Sequence, residues 1–266
     1  MKLISSRDNP TFRHLKALAE EARYRREQGR TVIDGAHLLR AALDAGVVPL
    51  TTVWADLPLD AELASLQEQC ADAGIRAIGL PGNLFKALSP VDTPTGVLAE
   101  IAIPEAIAEG RAGESGLVDV IALEGVQDAG NLGTLLRTAA AAGIRRAWLG
   151  EGCAQAWSPK VLRAGMGAHF LMGIRERVDL LAQVSAFAGQ RLATVLADDA
   201  QAVFDCDLAG PSCWLFGAEG RGLSPGLAAL ATRRVYIPMP GGAESLNVAA
   251  AAAVCLFEQV RQRRTV

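Results

Sequence analysis

The stretch Ile237-Pro238-Met239-Pro240-Gly241-Gly242-Ala243-Glu244-Ser245-Leu246-Asn247-Val248 decides how this chain is read. It leaves a short apolar strand, Val235–Ile237, turns through two prolines and two glycines, and enters an alanine-rich helix over Leu246–Arg261. The alanines Ala249–Ala253 permit close packing on all sides, which predicts a central helix. Ser245 reads as the helix cap. Asn247 is then a second polar group at a helix start, and capping by serine leaves it unexplained.

Upstream, the same strand–loop–helix grammar repeats. Strands are predicted at Val118–Leu123, Arg146–Leu149, His169–Ile174, Arg191–Leu196 and Cys213–Phe216. Helices are predicted at Leu132–Ala142, Ser158–Ala164, Leu180–Ala188 and Pro225–Ala231. Alternation of this kind implies a parallel sheet covered on both faces, with ligands outside the carboxyl ends of the strands. The loops just after strands are therefore the informative ones.

Two further loops stand in that position. Glu124-Gly125-Val126-Gln127-Asp128-Ala129-Gly130-Asn131-Leu132-Gly133 precedes a helix for which Asn131 reads as the cap and Gly143 as the stop. On that helix Arg137 is one turn beyond Gly133, and its side chain is expected to lean back over the bare glycine toward the loop. An ordinary solvated arginine is the alternative. Phe216-Gly217-Ala218-Glu219-Gly220-Arg221-Gly222-Leu223-Ser224-Pro225 holds three glycines, which let backbone approach a ligand. It lacks the Gly-Lys-Ser/Thr ending of a triphosphate loop and the spacing of a dinucleotide fingerprint.

A first α/β unit is expected over residues 1–103, a linker over 104–116 and a second unit over 117–266. In the first unit one helix is predicted from Phe12 to Gly29, with Arg13, Lys16, Arg23, Arg25 and Arg26 on its outer face. A strand at Thr31–Ile33 follows. Helices near Ala36–Ala45, Asp60–Ala73 and after Gly82 alternate with strands at Leu50–Trp54, Arg76–Leu80 and Gly96–Ile101. The linker is read from its three glycines and absent periodicity.

The 266 residues are 50% hydrophobic with a net charge of -3, which at face value speaks against a nucleic-acid partner. The charge is unevenly spread. Residues 1–30 hold eight basic against four acidic residues, and residues 41–119 hold three against twelve. The excess acid therefore lies away from the basic first helix and the motif loops. The longest apolar stretch, Leu246–Phe257, is too short for a membrane span. No apolar run with a small-residue cleavage site opens the chain, so a cytoplasmic protein is expected. The five cysteines form no Cys-x-x-Cys and the three histidines are isolated, so no metal is expected.

Together the three loops resemble the SpoU/TrmH family of SPOUT methyltransferases. The family's motifs look like Asn-x-Gly-x-x-x-Arg, Gly-x-Glu-x-x-Gly and Ile-Pro-Met-x-Gly-x-x-x-Ser-Leu-Asn-Val. They are matched here by Asn131/Gly133/Arg137, Gly217/Glu219/Gly222 and Ile237–Val248. Residues 158–168 are similar to the family's Arg-x-Ser-x-Gly-Ala region, with Met166 at the usual serine. Ala129 and Ala249 depart from a usual proline and a frequent serine. Residues 1–101, with Asn9-Pro10 and Val32-Ile33-Asp34-Gly35-Ala36-His37, resemble the family's RNA substrate-binding domain, itself like ribosomal proteins.

The resemblance implies a knotted α/β domain after a smaller α/β RNA-binding domain. It implies methyl transfer from S-adenosylmethionine to a ribose 2′-hydroxyl of structured RNA by a homodimer. Large-subunit ribosomal RNA is favoured, with transfer RNA or a non-catalytic RNA-binding role as alternatives. Arg137, Asn131, Glu219 and Asn247 take the catalytic positions. Gly217, Glu219, Gly222, Ile237, Met239, Ser245 and Leu246 surround or support the cofactor. RNA contacts are expected from Arg13, Lys16, Arg23, Arg25, Arg26, Arg145, Arg163 and Arg221. A nicotinamide oxidoreductase is the rival outside the family, disfavoured by the missing fingerprint.

Overall fold

The computed structural model describes residues 1–89, 94–104 and 118–264. Apart from Pro104, the expected linker lies outside the described residues. The chain divides into two compact units, Met1–Pro104 with Trp157–Phe170, and the remainder.

The first unit begins with β1 (Lys2–Leu3), α1 (Pro10–Glu20), α2 (Ala22–Gln28) and β2 (Arg30–Asp34). It continues through α3 (Ala36–Asp44), β3 (Thr51–Ala55), α4 (Ala61–Asp72), β4 (Ala77–Leu80), α5 (Gly82–Leu88) and β5 (Val97–Ala102). The sheet order is β1-β4-β3-β5-β2. Here β5 runs antiparallel to both β2 and β3, so this sheet is mixed.

Asn9 caps α1 by accepting from the Thr11 amide, and Phe12, Leu15 and Leu18 bury its inner face. The helix expected from Phe12 to Gly29 is two helices. Glu21 is extended (φ −105°, ψ 109°), which frees the last carbonyls of α1. The buried Arg25 guanidinium folds back and donates to the Leu18 and Ala19 carbonyls at 2.7 and 3.1 Å. Buried Glu100 on β5 accepts from Arg30 at 2.9 Å and lies 2.9 Å from His14 Nε2, tying β5 to β2 and α1.

The second unit holds β6 (Val120–Leu123), α6 (Ala129–Ala141), β7 (Arg146–Leu149), β8 (Gly173–Glu176), α8 (Leu180–Ala186) and β9 (Gln190–Thr194). It ends with β10 (Gln201–Ala202), β11 (Ser212–Phe216), α9 (Pro225–Ala229), β12 (Arg233–Tyr236) and α10 (Val248–Arg263). The intervening α7 (Pro159–Gly165) groups with the first unit, although sequence order places it in the second. Two contacts hold its segment there. The Thr31 hydroxyl donates to the Trp157 carbonyl at 2.7 Å. Gly167, at φ +88°, passes so near Ala41 that a Cβ would come within 2.9 Å of it.

All pairings in the second sheet are parallel, in the order β10-β12-β9-β11-β6-β7-β8. β6 and β11 are buried along their whole length, as strands covered on both faces must be. β8 starts four residues later than expected because Ala168–Phe170 forms a turn of 3-10 helix. β1 and β10 are two-residue strands that periodicity does not register. From β6 the sheet grows through β7 and β8 on one side and through β11, β9 and β12 on the other. Winding reverses between β6 and β11, where open α/β sheets bind ligands. The last helix, α10, returns from β12 to pack against α6.

Asp119, just before β6, fastens this unit. It accepts from the Ser212 amide at 2.8 Å and from Arg263 Nη2 at 3.0 Å. Burial raises its carboxyl, but the Arg263 hydrogen bonds and Ser212 outweigh that and hold it below the usual carboxylate range. Gln259 of α10 accepts from the Trp214 indole, joining helix to sheet.

Candidate active site

The loops after β6, β11 and β12 meet through three side chains. Asn247 caps α10, its Oδ1 accepting from the Ala249 and Ala250 amides at 2.9 and 3.3 Å. That fixes which end of its amide is oxygen. Its Nδ2 must then face outward, and it donates to Asn131 Oδ1 at 2.9 Å. Asn131 in turn donates through Nδ2 to Glu219 Oε1 at 2.8 Å. The chain runs in one direction, from a helix N-terminus to a carboxylate.

Both asparagines have roles that differ from the sequence reading. The cap of α6 is Asp128, which accepts from the Asn131 amide at 2.7 Å. Asn131 is the third residue of the helix, so its side chain is free to cross to Glu219. Likewise Asn247, rather than Ser245, caps α10, and the helix starts at Val248. Periodicity places a helix start within a few residues only. Which polar residue caps it depends on the local backbone.

Gly217, Glu219, Gly222, Ile237, Met239, Ser245 and Leu246 all line one cleft of about 760 Å³ beside β9, β11 and β12. Gly217 is required by the turn itself. A Cβ there would sit 2.1 Å from the Gly222 carbonyl carbon and 2.3 Å from the Leu223 nitrogen. Ala218 and Gly222 pair across this turn, with the Gly222 amide donating to the Ala218 carbonyl at 2.8 Å. Gly222 adopts φ +65°. The cleft is lined by the glycine-rich loop, by apolar side chains that include Ile237, Met239 and Leu246, and by the charged Glu219, Arg221 and Glu244; Cys255 also lines it. It also takes in Thr194 at the end of β9 and Val195 and Leu196 just after it, which carry no motif in the sequence; Leu196 is 68% exposed.

Arg137 is exposed, does not line the cleft, and makes no hydrogen bond or ion pair with the described residues. Because α6 begins at Ala129, Arg137 lies six residues beyond Asn131, about 9 Å further along the axis. Glu124 is a positioning residue the sequence reading did not single out. Its two carboxylate oxygens accept from the Ser224 amide and hydroxyl, each at 2.7 Å, fixing the far end of the Gly217–Gly222 loop.

The expected RNA contacts divide. Arg25 is buried and bonded to carbonyls, so it is a structural residue and not an RNA contact. Arg13, Lys16 and Arg23 face Asp8, Glu20 and Glu27 at 2.7, 3.6 and 2.6 Å, which reduces the net charge of this face. Arg145 donates to the Leu171 carbonyl at 3.2 Å. Arg26, Arg163 and Arg221 are exposed. Among the described residues no group of metal-ligating side chains occurs, and no helix is long and apolar enough to cross a membrane.

Two segments of the chain match known families. Residues 119–257 match the SpoU rRNA methylase family, and residues 9–99 match an MRM3-like substrate-binding domain. An uncharacterized tRNA/rRNA methyltransferase of Synechocystis is 32% identical over 98% of this chain and 94% of its own length. A 23S rRNA guanosine 2′-O-methyltransferase of Bacillus subtilis is 30% identical over 97% of this chain and 98% of its own. Among solved structures, an RNA 2′-O-ribose methyltransferase superposes with a TM-score of 0.82 at 30% identity, covering 98% of this chain and 99% of that one. An S-adenosylmethionine-bound rRNA methyltransferase from Sinorhizobium meliloti gives 0.82 at 28% identity, covering 98% and 97%.

Proposed function

The chain belongs to the SpoU rRNA methylase family, and from that premise we propose that it methylates a ribose 2′-hydroxyl of ribosomal RNA using S-adenosylmethionine. One observation carries the reading: the directed chain Asn247–Asn131–Glu219, whose two ends line the cleft. The cleft fits the cofactor's chemistry. It offers close backbone approach at Gly217 and Gly222, apolar contact from Ile237, Met239 and Leu246, and carboxylates at Glu219 and Glu244 for the cofactor's hydroxyl and ammonium groups. S-adenosylmethionine, when bound, supplies an electrophilic methyl carbon on a sulfonium.

The residues of this chain handle the hydroxyl. Asn131 holds Glu219 through one oxygen, leaving the other to accept the proton that the 2′-oxygen gives up as it gains the methyl group. Arg137 acts as a hydrogen-bond donor and has no acceptor to offer, so it is not the base. It pairs with the phosphate next to the target ribose and stabilises negative charge developing on the oxygen. Its lack of an internal partner leaves it available for this. The first unit contributes RNA affinity through Arg26 and Arg163, with Arg13, Lys16 and Arg23 released from exposed ion pairs that are individually weak.

The RNA is most simply large-subunit ribosomal RNA, the substrate named for the Bacillus relative. We read the return of α10 from β12 to α6 as support for a knotted C-terminal thread. We also read Ala250, Val254 and the 47%-exposed Phe257, aligned along α10, as a face covered by a second copy. Light scattering of the purified chain should then give a dimer.

The test is transfer of labelled methyl to ribosomal RNA from a deletion strain, with alkali-resistant linkages mapped. Arg137→Ala should abolish single-turnover transfer while leaving cofactor affinity within about twofold. Normal transfer by that variant would remove Arg137 from the mechanism.

A further inference from the structure

The basic residues of the first unit fall on two faces that differ in what opposes them. On α1 and α2, Arg13, Lys16 and Arg23 each face a carboxylate, and Arg26 is left open. On α3 and α7 the balance is reversed. His37 and Arg40 stand three residues apart on α3, and Lys160 and Arg163 stand three apart on α7, so each pair shares a helix face. All four are exposed. Lys160 and Arg163 make no hydrogen bond or ion pair with the described residues, and α7 carries no acidic residue. Arg40 reaches Glu62 only at 3.5 Å, and Asp44 lies at the far end of α3.

We propose that the α3–α7 face is the surface by which the first unit grips RNA, with Arg40, Lys160 and Arg163 on phosphates and Met166 against a sugar or base. The inference rests on the proposed action on ribosomal RNA and says where that RNA is held. Two contacts bring the helices together. His37 Nε2 lies 3.4 Å from the Met166 carbonyl, and Gly167 passes against Ala41. His37 and Met166 are 129 positions apart, so no count along the chain assembles this face. Arg163 also sits near the start of α3, beside Asp34. Burial raises the Asp34 carboxyl, and the Ser89 hydroxyl and then the Arg163 charge work against that. Asp34 is buried, so its carboxyl does not neutralise the surface.

The chemistry favours this face over α1 and α2. A basic side chain paired with a carboxylate must give up that bond before it takes a phosphate, whereas one that faces water releases only counterions from the RNA. Met166 is a second signal. It caps α7 in the left-handed conformation (φ 47°, ψ 44°), which strains any residue but glycine. Its side chain is 40% exposed, so burial returns little for that strain. Strain of this kind collects at binding sites. A flexible thioether beside basic side chains suits contact with a ribose or an unstacked base.

The test is filter binding of the full chain to protein-free large-subunit ribosomal RNA across a salt series. Lys160→Gln with Arg163→Gln should weaken binding about tenfold near 0.1 M salt and flatten the log–log salt slope by about 1.4–1.8. Arg13→Gln with Arg23→Gln is the control on α1 and α2 and should cost about threefold or less, because those residues exchange one partner for another. Met166→Gly should not lower the melting temperature yet should weaken binding, a split that a purely structural methionine does not give. Peroxide oxidation of Met166 should slow several-fold when the RNA is bound. A double variant within about twofold of the parent, or a loss no larger than the control's, overturns the inference. So does a Met166 that the RNA leaves unprotected, or Met166→Gly binding as the parent does. RNA that is held by this face but accepts no methyl group would instead remove the proposed activity and leave the surface standing.

Discussion

Replacing Gly217 by alanine separates a tight turn from a merely flexible one. The added Cβ would lie 2.1 Å from the Gly222 carbonyl carbon, 2.3 Å from its oxygen and 2.3 Å from the Leu223 nitrogen. Ordinary contact between such atoms begins near roughly 3.4 Å. The loop must therefore open by more than about 1 Å. All three blocking atoms are backbone, so no rotamer change relieves the clash. Overpacking costs about 1–3 kcal/mol, and this site belongs at the upper end. For a unit of this size that is a fall in Tm of roughly 5–10 °C. The opened loop is also a wall of the cleft proposed to hold the cofactor, so the Kd for S-adenosylmethionine should rise at least about tenfold, or ~1.4 kcal/mol. Gly220→Ala is the matched control, because a Cβ there meets nothing within 4 Å. It should stay within about 0.5 kcal/mol of the parent. Thermal melts and calorimetric titration of both variants decide the matter. If Gly217→Ala melts and binds as Gly220→Ala does, the turn is not closed by this contact and the reasoning fails.

Other expectations concern stability. Asp119→Asn should lower stability at neutral pH by about 1.5–3 kcal/mol, the range for hydrogen bonds to charged groups. Because the folded carboxyl titrates below its unfolded value, the contribution is present above about pH 4 and fades as pH falls through the folded pKa. Urea melts of parent and variant should therefore converge in acid, and a constant gap would count against the assignment. Arg25→Ala should destabilise the first unit by about 1–3 kcal/mol through the unpartnered Leu18 and Ala19 carbonyls. Arg26→Ala should not, and equal melting of the two would contradict the structural role of Arg25. Burial pushes the Cys213 and Cys255 thiols up to about 12. At pH 8 the thiolate fraction of each is then about one in ten thousand. Disulfide reagents should modify neither before denaturant is added, and rapid native labelling of both would refute that.

Much of the second unit was legible because its strands are short, its central ones are nearly continuous apolar runs, and glycine-rich loops follow several of them. Val120–Leu123 and Ser212–Phe216 are buried on both faces, and such strands announce themselves as continuous hydrophobic runs. The first helix was misread as continuous. Its periodicity carries on past Glu21, whereas the break depends on Arg25 finding carbonyls that exist only after the break. The charge face was misread for a related reason. A count of basic residues leaves out the i, i+4 pairs Lys16–Glu20 and Arg23–Glu27, which helical spacing does encode, and the Arg13–Asp8 pair, which needs the turn before α1.

By itself, the sequence determined the alternation of strands and helices and the glycine-rich loops that follow the strands; the seven residues of the cleft were picked out by the family resemblance of those loops. The alternation and the loops are local properties: hydrophobic period, turn chemistry and the bareness of glycine act within a few residues. Only the tertiary structure decided that Asn247 caps its helix, that its amide is thereby oriented, and that Asn131 carries that orientation to Glu219. It also decided that α7 joins the first unit. These depend on residues about a hundred positions apart being brought within hydrogen-bond distance, and nothing in the spacing along a chain encodes the direction of such a bond.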